Sequence, residues 1–90
     1  MNDIIFGIVE SIIDSNSFLL HTTEVSLINT FKYNKWERIK VNSIQITSKN
    51  IMGNKLTRKF LEKEIHGKAV RCSIQLRENS GRIKADVVVI

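Results

Sequence analysis

Alternation of apolar and polar residues along most of the chain predicts a protein built mainly from β-strands. The run from Ile4 to Ile13 is almost wholly apolar, with Gly7 inside it, and a second apolar stretch starts at Phe18. Residues 14–17 (DSNS) separate the two, and such side chains satisfy backbone groups locally in tight turns. The pattern predicts a β-hairpin, in which Gly7 marks a bulge or a sharp bend.

A third strand is predicted where Ile39, Val41, Ile44 and Ile46 stand among polar residues. The alternation breaks at Asn42-Ser43, which indicates a β-bulge. Residues 22–36, just upstream, fit two descriptions. They could extend strands two and three into a long arm, or they could form a loop.

One helix is predicted after the third strand. Its apolar positions fall on one stripe, formed by Leu56, Phe60, Leu61 and Ile65. Asn54 fits the N-cap position, and Gly67 fits the left-handed position that commonly ends a helix.

Two further strands follow the helix and complete the predicted fold. Their inward positions are Val70, Cys72, Ile74 and Leu76 in the first strand and Ile83, Ala85, Val87 and Val89 in the second, with a turn at residues 78–81 (ENSG). The order β-β-β-α-β-β in 90 residues predicts a five-stranded Greek-key barrel of the OB-fold type, with its helix between strands three and four. Residues 1–90 are therefore expected to form a single domain.

Charge is distributed unevenly along this sequence. Residues 1–31 contain four acidic residues and no Lys or Arg, whereas residues 32–90 contain all 14 Lys and Arg and five acidic residues. Such asymmetry favours a polyanionic partner, nucleic acid first, although a solvated basic surface without a specific partner is the alternative. His21 and His66 are isolated and show no metal-ligand spacing, so we expect no metal and no cofactor.

Cysteine usage and hydropathy bound the cellular setting. Cys72 is the single cysteine and cannot form an internal disulfide, which favours a reducing compartment. No apolar run approaches the ~18 residues of a membrane span, and the start of the chain lacks a basic leader. We expect a cytoplasmic protein without a membrane partner.

Three stretches resemble, in order, the motifs of the staphylococcal-nuclease-like family. They are residues 7–18 (GIVESIIDSNSF), residues 39–48 (IKVNSIQITS), and the final segment with Gly67-Lys68-x-Val70 and Gly81-Arg82-Ile83-x-Ala85-Asp86-Val87. The last stretch is the best match. The resemblance implies an OB-fold barrel related to calcium-dependent nucleases.

The same resemblance implies that the nuclease site is degenerate. Asn16 and Gln45 stand where the family places metal-binding aspartates, and Ser48 stands where it places the glutamate base. Lys40 replaces the first arginine of the motif, and Arg82 matches the second. Calcium needs carboxylate oxygens and water attack needs a base, so we expect a catalytically inactive domain.

Cations and aromatic residues interleave around the start of the third strand. OB-fold barrels bind ligands on strands two and three and the flanking loops, so we predict a nucleic-acid-binding surface there. Its predicted members are Lys32, Tyr33, Lys35, Trp36, Arg38, Lys40, Arg77, Arg82 and Lys84. In the alternative interpretation, Phe31 and Trp36 pack to close one end of the barrel and the lysines only solvate a hairpin.

The predicted function is non-catalytic binding of single-stranded DNA or RNA. One alternative is a protein-interaction or homodimerisation module that uses residues 22–36. The other is a weak calcium-dependent nuclease.

Overall fold

The hairpin predicted at the start of the chain supplies the first two strands of a closed barrel. A computed structural model describes residues 2–90. Its elements are β1 (Ile4–Asp14), β2 (Ser17–Val25), β3 (Trp36–Ile46), β4 (Lys49–Met52), a single 3-10 turn (Gly53–Lys55), α1 (Arg58–Glu64), β5 (Ala69–Arg77) and β6 (Ile83–Val89).

Strand pairing confirms the predicted five-stranded OB-like barrel. The strands run in the order β2-β1-β5-β6-β3, and pairing of β2 with β3 closes the sheet on itself. The β3–β6 pair is parallel, and the other neighbours are antiparallel. The helix lies between the third and fourth barrel strands along the chain, as predicted.

Two predicted bulges are confirmed. The β1–β2 register shifts between Phe6 and Gly7, and the β3–β6 register shifts between Val41 and Ser43. At the second shift, the Asn42 amide and the Ser43 hydroxyl donate hydrogen bonds of 2.7 and 2.8 Å to one oxygen of Asp86. The bulge thus lets neighbouring side chains reach a single carboxylate on β6.

A bulge in β5 makes one prediction wrong. The β5–β6 register shifts between Ile74 and Leu76, so the inward alternation that begins at Val70 ends at Ile74. Leu76 consequently lies outside the core and is 55% exposed.

The segment between β3 and the helix differs from its prediction in two ways. Residues 49–52 form β4, which the sequence pattern did not predict and which pairs with Ser43–Ile46 at the end of β3. The helix cap is Thr57, whose hydroxyl accepts from the Phe60 amide at 3.1 Å, whereas Asn54 lies in the 3-10 turn. Gly67 does adopt the predicted left-handed conformation, with φ of 78°.

The core fills the barrel and the space between the barrel and α1. Its largest fully buried side chains include Phe18, Ile5, Leu20, Ile39, Ile44, Leu61 and Ile65. Cys72 is also fully buried, and burial raises the pKa of its thiol to about 12. The thiol is therefore protonated and unreactive inside the core, as the alternation predicts.

The structure divides residues 22–36, because residues 22–25 continue β2 and only residues 26–35 form the predicted loop. β2 ends at Val25 and β3 begins at Trp36, and residues 26–35 connect them without strand structure. Within residues 2–90, no helix has both the length and the apolar character needed to cross a membrane.

Candidate nucleic-acid interface

Strand directions bring two loops to one end of the barrel. Because β3 and β6 run parallel, the 26–35 loop that precedes β3 and the 78–82 loop that precedes β6 lie at the same end. The tight turn between β1 and β2 lies at the opposite end. The outward surface of β2, β3 and β6 connects the two ends.

Alternation along β3 sorts its side chains onto the two sides of the barrel wall. Ile39 and Val41 point into the core, and Trp36, Arg38 and Lys40 point outward. Strand pairing then sets their neighbours, because His21 of β2 lies opposite Trp36 and Lys84 of β6 lies opposite Lys40. We call this surface, formed by His21, Trp36, Arg38, Lys40 and Lys84, the basic face.

The His21 and Trp36 rings form an aromatic stack at one end of the basic face. The two rings are stacked, with centroids 4.6 Å apart and an interplanar angle of 25°. The Lys35 ammonium lies 5.9 Å from the Trp36 ring centroid. Trp36 is 45% exposed and Phe31 is 58% exposed, so neither ring closes the barrel end, and the packing alternative fails for both.

Positive charge is concentrated where β3 meets β6. The Nε of Arg82 donates to Glu78 at 2.9 Å, and this hydrogen bond, together with the charges of Lys40 and Lys84, lowers the pKa of the Glu78 carboxyl. Arg38 donates from Nη2 to the Ser80 carbonyl at 2.6 Å, which ties the 78–82 loop to the basic face. Three cations therefore act on one carboxylate, and a fourth, Arg38, holds the backbone of the same loop.

A cleft of about 370 Å³ lies at the far end of the basic face, between the β1–β2 turn and the 3-10 turn. Its polar lining consists of amide and ammonium side chains from Asn16, Lys40, Asn42, Asn54 and Lys84. Such groups donate hydrogen bonds to anions, and ammonium groups neutralise phosphate charge.

The positions that the nuclease resemblance singles out are not all brought together. Asn16 and Lys40 line this cleft, whereas Gln45 and Ser48 are exposed and lie outside its lining. Arg82 is engaged by Glu78 in the 78–82 loop. Across residues 2–90, no three His, Cys, Asp or Glu side chains cluster so that they could hold a metal ion.

Comparison with known protein families, curated proteins and solved structures found no match to this chain. The nuclease resemblance therefore remains a hypothesis that rests on the motifs alone.

Two of the predicted residues, Tyr33 and Arg77, form a separate cluster at the loop end of the barrel. The Arg77 guanidinium carbon lies 5.1 Å from the Tyr33 ring centroid and 5.6 Å from that of Phe31. Lys32 is an exposed member of the same loop. The structure thus divides the nine predicted residues between the basic face, with its adjoining Lys35 and Arg82, and this second cluster.

Asp3 anchors the 26–35 loop through three hydrogen bonds. Its carboxylate accepts from the Thr30 amide at 2.8 Å, the Phe31 amide at 3.0 Å and the Tyr33 hydroxyl at 2.7 Å. The two backbone amides lower the pKa of Asp3, and burial, followed by the bond to Asp3, raises the pKa of Tyr33 to about 12. Asn29 adds two hydrogen bonds of 2.8 Å to the backbone of Ile4.

Replacing Asp3 by asparagine should lower stability at neutral pH and weaken its dependence on acid. A carboxyl whose pKa is depressed by folding stabilises the fold above its unfolded pKa of about 3.9, and this stabilisation is lost as pH falls through the folded value. Thermal melts of the wild type from pH 7 to pH 2 should therefore show a decline in Tm below about pH 4 that is shallower in Asp3→Asn.

Glu24→Gln is the matched control for that series, because it removes an exposed carboxylate near the same loop. It should leave both the neutral Tm and the acid decline close to those of the wild type. Parallel acid curves for Asp3→Asn and the wild type would show that Asp3 does not anchor the loop.

Sequence reasoning missed His21 and Asp3 as parts of the site. His21 reads as an ordinary outward residue of a strand, and only the β2–β3 register places it on Trp36. Asp3 sits at the start of the chain, 30 residues from Tyr33, and no local pattern links the two.

Proposed function

We propose that this chain is a non-catalytic OB-fold domain that binds single-stranded DNA or RNA on the basic face. The observation that carries the proposal is the adjacency of the stacked His21–Trp36 pair to the outward cations Arg38, Lys40 and Lys84. Stacking rings next to cations are what unpaired bases and their phosphates require.

The neighbouring lysines support an anionic ligand in a specific way. Lys40 and Lys84 are paired on adjacent parallel strands, and their like charges repel each other, a repulsion that the single Glu78 carboxylate only partly offsets. A phosphate between them removes the repulsion, so the pair favours the bound state over the free one. The surrounding Arg38 and Arg82 strengthen the same positive field.

The exposed rings favour single strands over duplexes. Trp36 remains 45% exposed although His21 covers one face of its ring, and a ring can stack on a base only where that base is unpaired. In a duplex the base faces are already stacked on each other. This surface could then contact only the phosphates.

The absence of catalysis is part of the proposal. The polar side chains of the cleft are amides and ammonium groups, which position an anion but do not take a proton from water at neutral pH. The neutral Asn16 fits the same view. We propose that binding takes place in the cytoplasm, a reducing compartment in which the buried Cys72 stays a free thiol.

A protein-interaction role for residues 22–36 has one observation in its favour. Leu27 and Ile28 at the tip of the 26–35 loop are exposed apolar side chains. If the loop pairs two copies, sedimentation of the wild type should show a dimer that a Leu27→Ser/Ile28→Ser variant does not form.

Binding of a labelled thymidine octamer tests the proposed function. Fluorescence polarisation at several salt concentrations should show affinity that falls as salt rises, with a log–log slope of about −3 if four phosphates are contacted. Trp36→Ala should weaken binding about tenfold, whereas Trp36→Phe, which keeps a ring, should retain most of it.

Three results would contradict the proposal. They are no binding at low salt, binding that is indifferent to salt, and binding that Trp36→Ala leaves unchanged. A parallel assay with Ca²⁺ checks for strand cleavage, and cleavage that Arg82→Ala abolishes would show that the domain is a nuclease.

A further inference from the structure

An open cleft of about 380 Å³ lies between the 26–35 loop and the end of β5. Its lining includes Asp3, Phe31, Tyr33, Gln75, Leu76 and Arg77. We call it the Arg77 cleft. The basic face does not include it, although both lie toward the same end of the barrel.

We propose that the Arg77 cleft is a second stacking subsite, which takes an unpaired base from a strand that runs off the basic face past Trp36. This inference rests on the proposed function and adds a length requirement to it. The ligand is a single strand long enough to reach from the basic face to the cleft.

The chemistry of the walls fits a nucleobase. Phe31 is more than half exposed although the Arg77 guanidinium carbon lies 5.6 Å from its ring centroid, so much of the aromatic surface remains open to a ligand, and Arg77 is itself an exposed residue. Bases stack on aromatic rings and on guanidinium planes alike. A base has the flat apolar shape that such walls accommodate.

The walls are also held in place before a ligand arrives. The Asp3 carboxylate fixes the Thr30 and Phe31 amides and the Tyr33 hydroxyl, and Asn29 fixes the loop to Ile4. A preformed surface loses less conformational entropy on binding than a mobile loop. The hydrogen-bonding pattern therefore fixes the backbone that carries the Phe31 side chain.

The charges decide where a phosphate would lie. Asp3 is negative, but its carboxylate is engaged by three donors of the loop. The cations near the cleft are Arg77 and the exposed Lys32. The phosphate of a base bound here is therefore expected on the side of Arg77 and Lys32, away from Asp3.

Binding of two oligonucleotide lengths tests the inference. A thymidine tetramer matches the smallest OB-fold site of about four nucleotides, and a thymidine octamer is long enough to reach further. Phe31→Ala should weaken octamer binding about tenfold and leave tetramer binding unchanged. Phe31→Tyr should keep octamer affinity within about twofold of the wild type, because the ring is retained.

Leu27→Ala is the matched control, since it truncates an exposed apolar side chain of the same loop that does not line the cleft. It should change neither affinity. If the tetramer binds and Phe31→Ala weakens both lengths equally or neither, the subsite is wrong and the basic face stands. If the wild type binds neither length, the proposed function fails as well, and the apolar cleft is then better explained as a protein contact.

Discussion

Gly7→Ala should destabilise the barrel by at least about 3 kcal/mol, which is a large part of the ~5–15 kcal/mol that typically holds a small domain together. A Cβ built on Gly7 would lie 2.3 Å from the His21 carbonyl oxygen and 2.9 Å from the Leu20 side chain. The carbonyl belongs to the paired β2 backbone, so the strand itself has to move. Thermal unfolding followed by circular dichroism should show a loss of roughly 12–24 °C in Tm.

Gly67→Ala provides the matched control for this prediction. Gly67 has φ of 78° but nothing within 4 Å of its built Cβ, so alanine there meets only the left-handed backbone cost of about 1–2 kcal/mol. Gly53→Ala should behave like Gly7→Ala, because its Cβ would lie 2.1 Å from the Val41 carbonyl oxygen. Equal losses at Gly7 and Gly67 would mean that close approach of the strands is not what requires glycine at Gly7.

The barrel could be predicted because its strands follow a period of two and its turns use residues suited to turns. Positions such as Ile39, Val70 and Ile83 were identified from the period-two alternation, and all three are buried. The bulge at Asn42 was predicted because the alternation of apolar and polar residues shifts by one position there. The predicted order of strands and helix, together with the short chain, then left few ways to close the sheet.

Local departures from the period-two alternation, a short paired strand and the 3-10 turn account for the features that the sequence pattern did not predict. Leu76 continues the alternation of β5 in the sequence, but the bulge between Ile74 and Leu76 turns its side chain outward. β4 is only four residues long and takes its conformation from pairing with β3. Thr57 displaces Asn54 as the helix cap because residues 53–55 are used by the 3-10 turn.

The composition of the candidate site was partly predictable, and its grouping was not. Interleaved cations and rings near Trp36 indicated which strand carries the cations of the candidate site, because outward side chains of β3 alternate in sequence. Which cations become neighbours depends on register between distant strands, as for Lys40 and Lys84, which are 44 positions apart. Tyr33 and Arg77 join a different cluster for the same reason.

Removing the three outward cations of the basic face should nearly abolish oligonucleotide binding. The variant Arg38→Gln/Lys40→Gln/Lys84→Gln loses three candidate phosphate contacts, which should reduce the magnitude of the log–log salt slope by about 2. Extrapolated from that slope, affinity for a single strand should fall roughly 100-fold at 0.1 M salt. Polarisation titrations of the thymidine octamer at four salt concentrations measure both quantities.

A variant with the same change in net charge separates local contacts from overall charge. Lys55→Gln/Lys59→Gln/Lys63→Gln also removes three positive charges, from exposed positions in and near α1. If the basic face is the binding surface, this control should keep nearly the full salt slope and most of the affinity. Equal losses in the two triple variants would show that binding follows net charge alone and has no defined face.

Stability measurements exclude unfolding as the reason for lost binding. Neutralising Lys40 and Lys84 removes the repulsion between these neighbouring like charges but also their attraction to the Glu78 carboxylate, and Arg38→Gln removes the bond to the Ser80 carbonyl. Because exposed ion pairs contribute only about 0–1 kcal/mol each, the triple variant of the basic face should melt within about 8 °C of the wild type and stay folded at the temperature of the binding assay. A folded protein that no longer binds has lost contacts with the ligand. Unfolding at the assay temperature would instead mean that these cations are needed for the fold, and the loss of binding would then not identify a ligand surface.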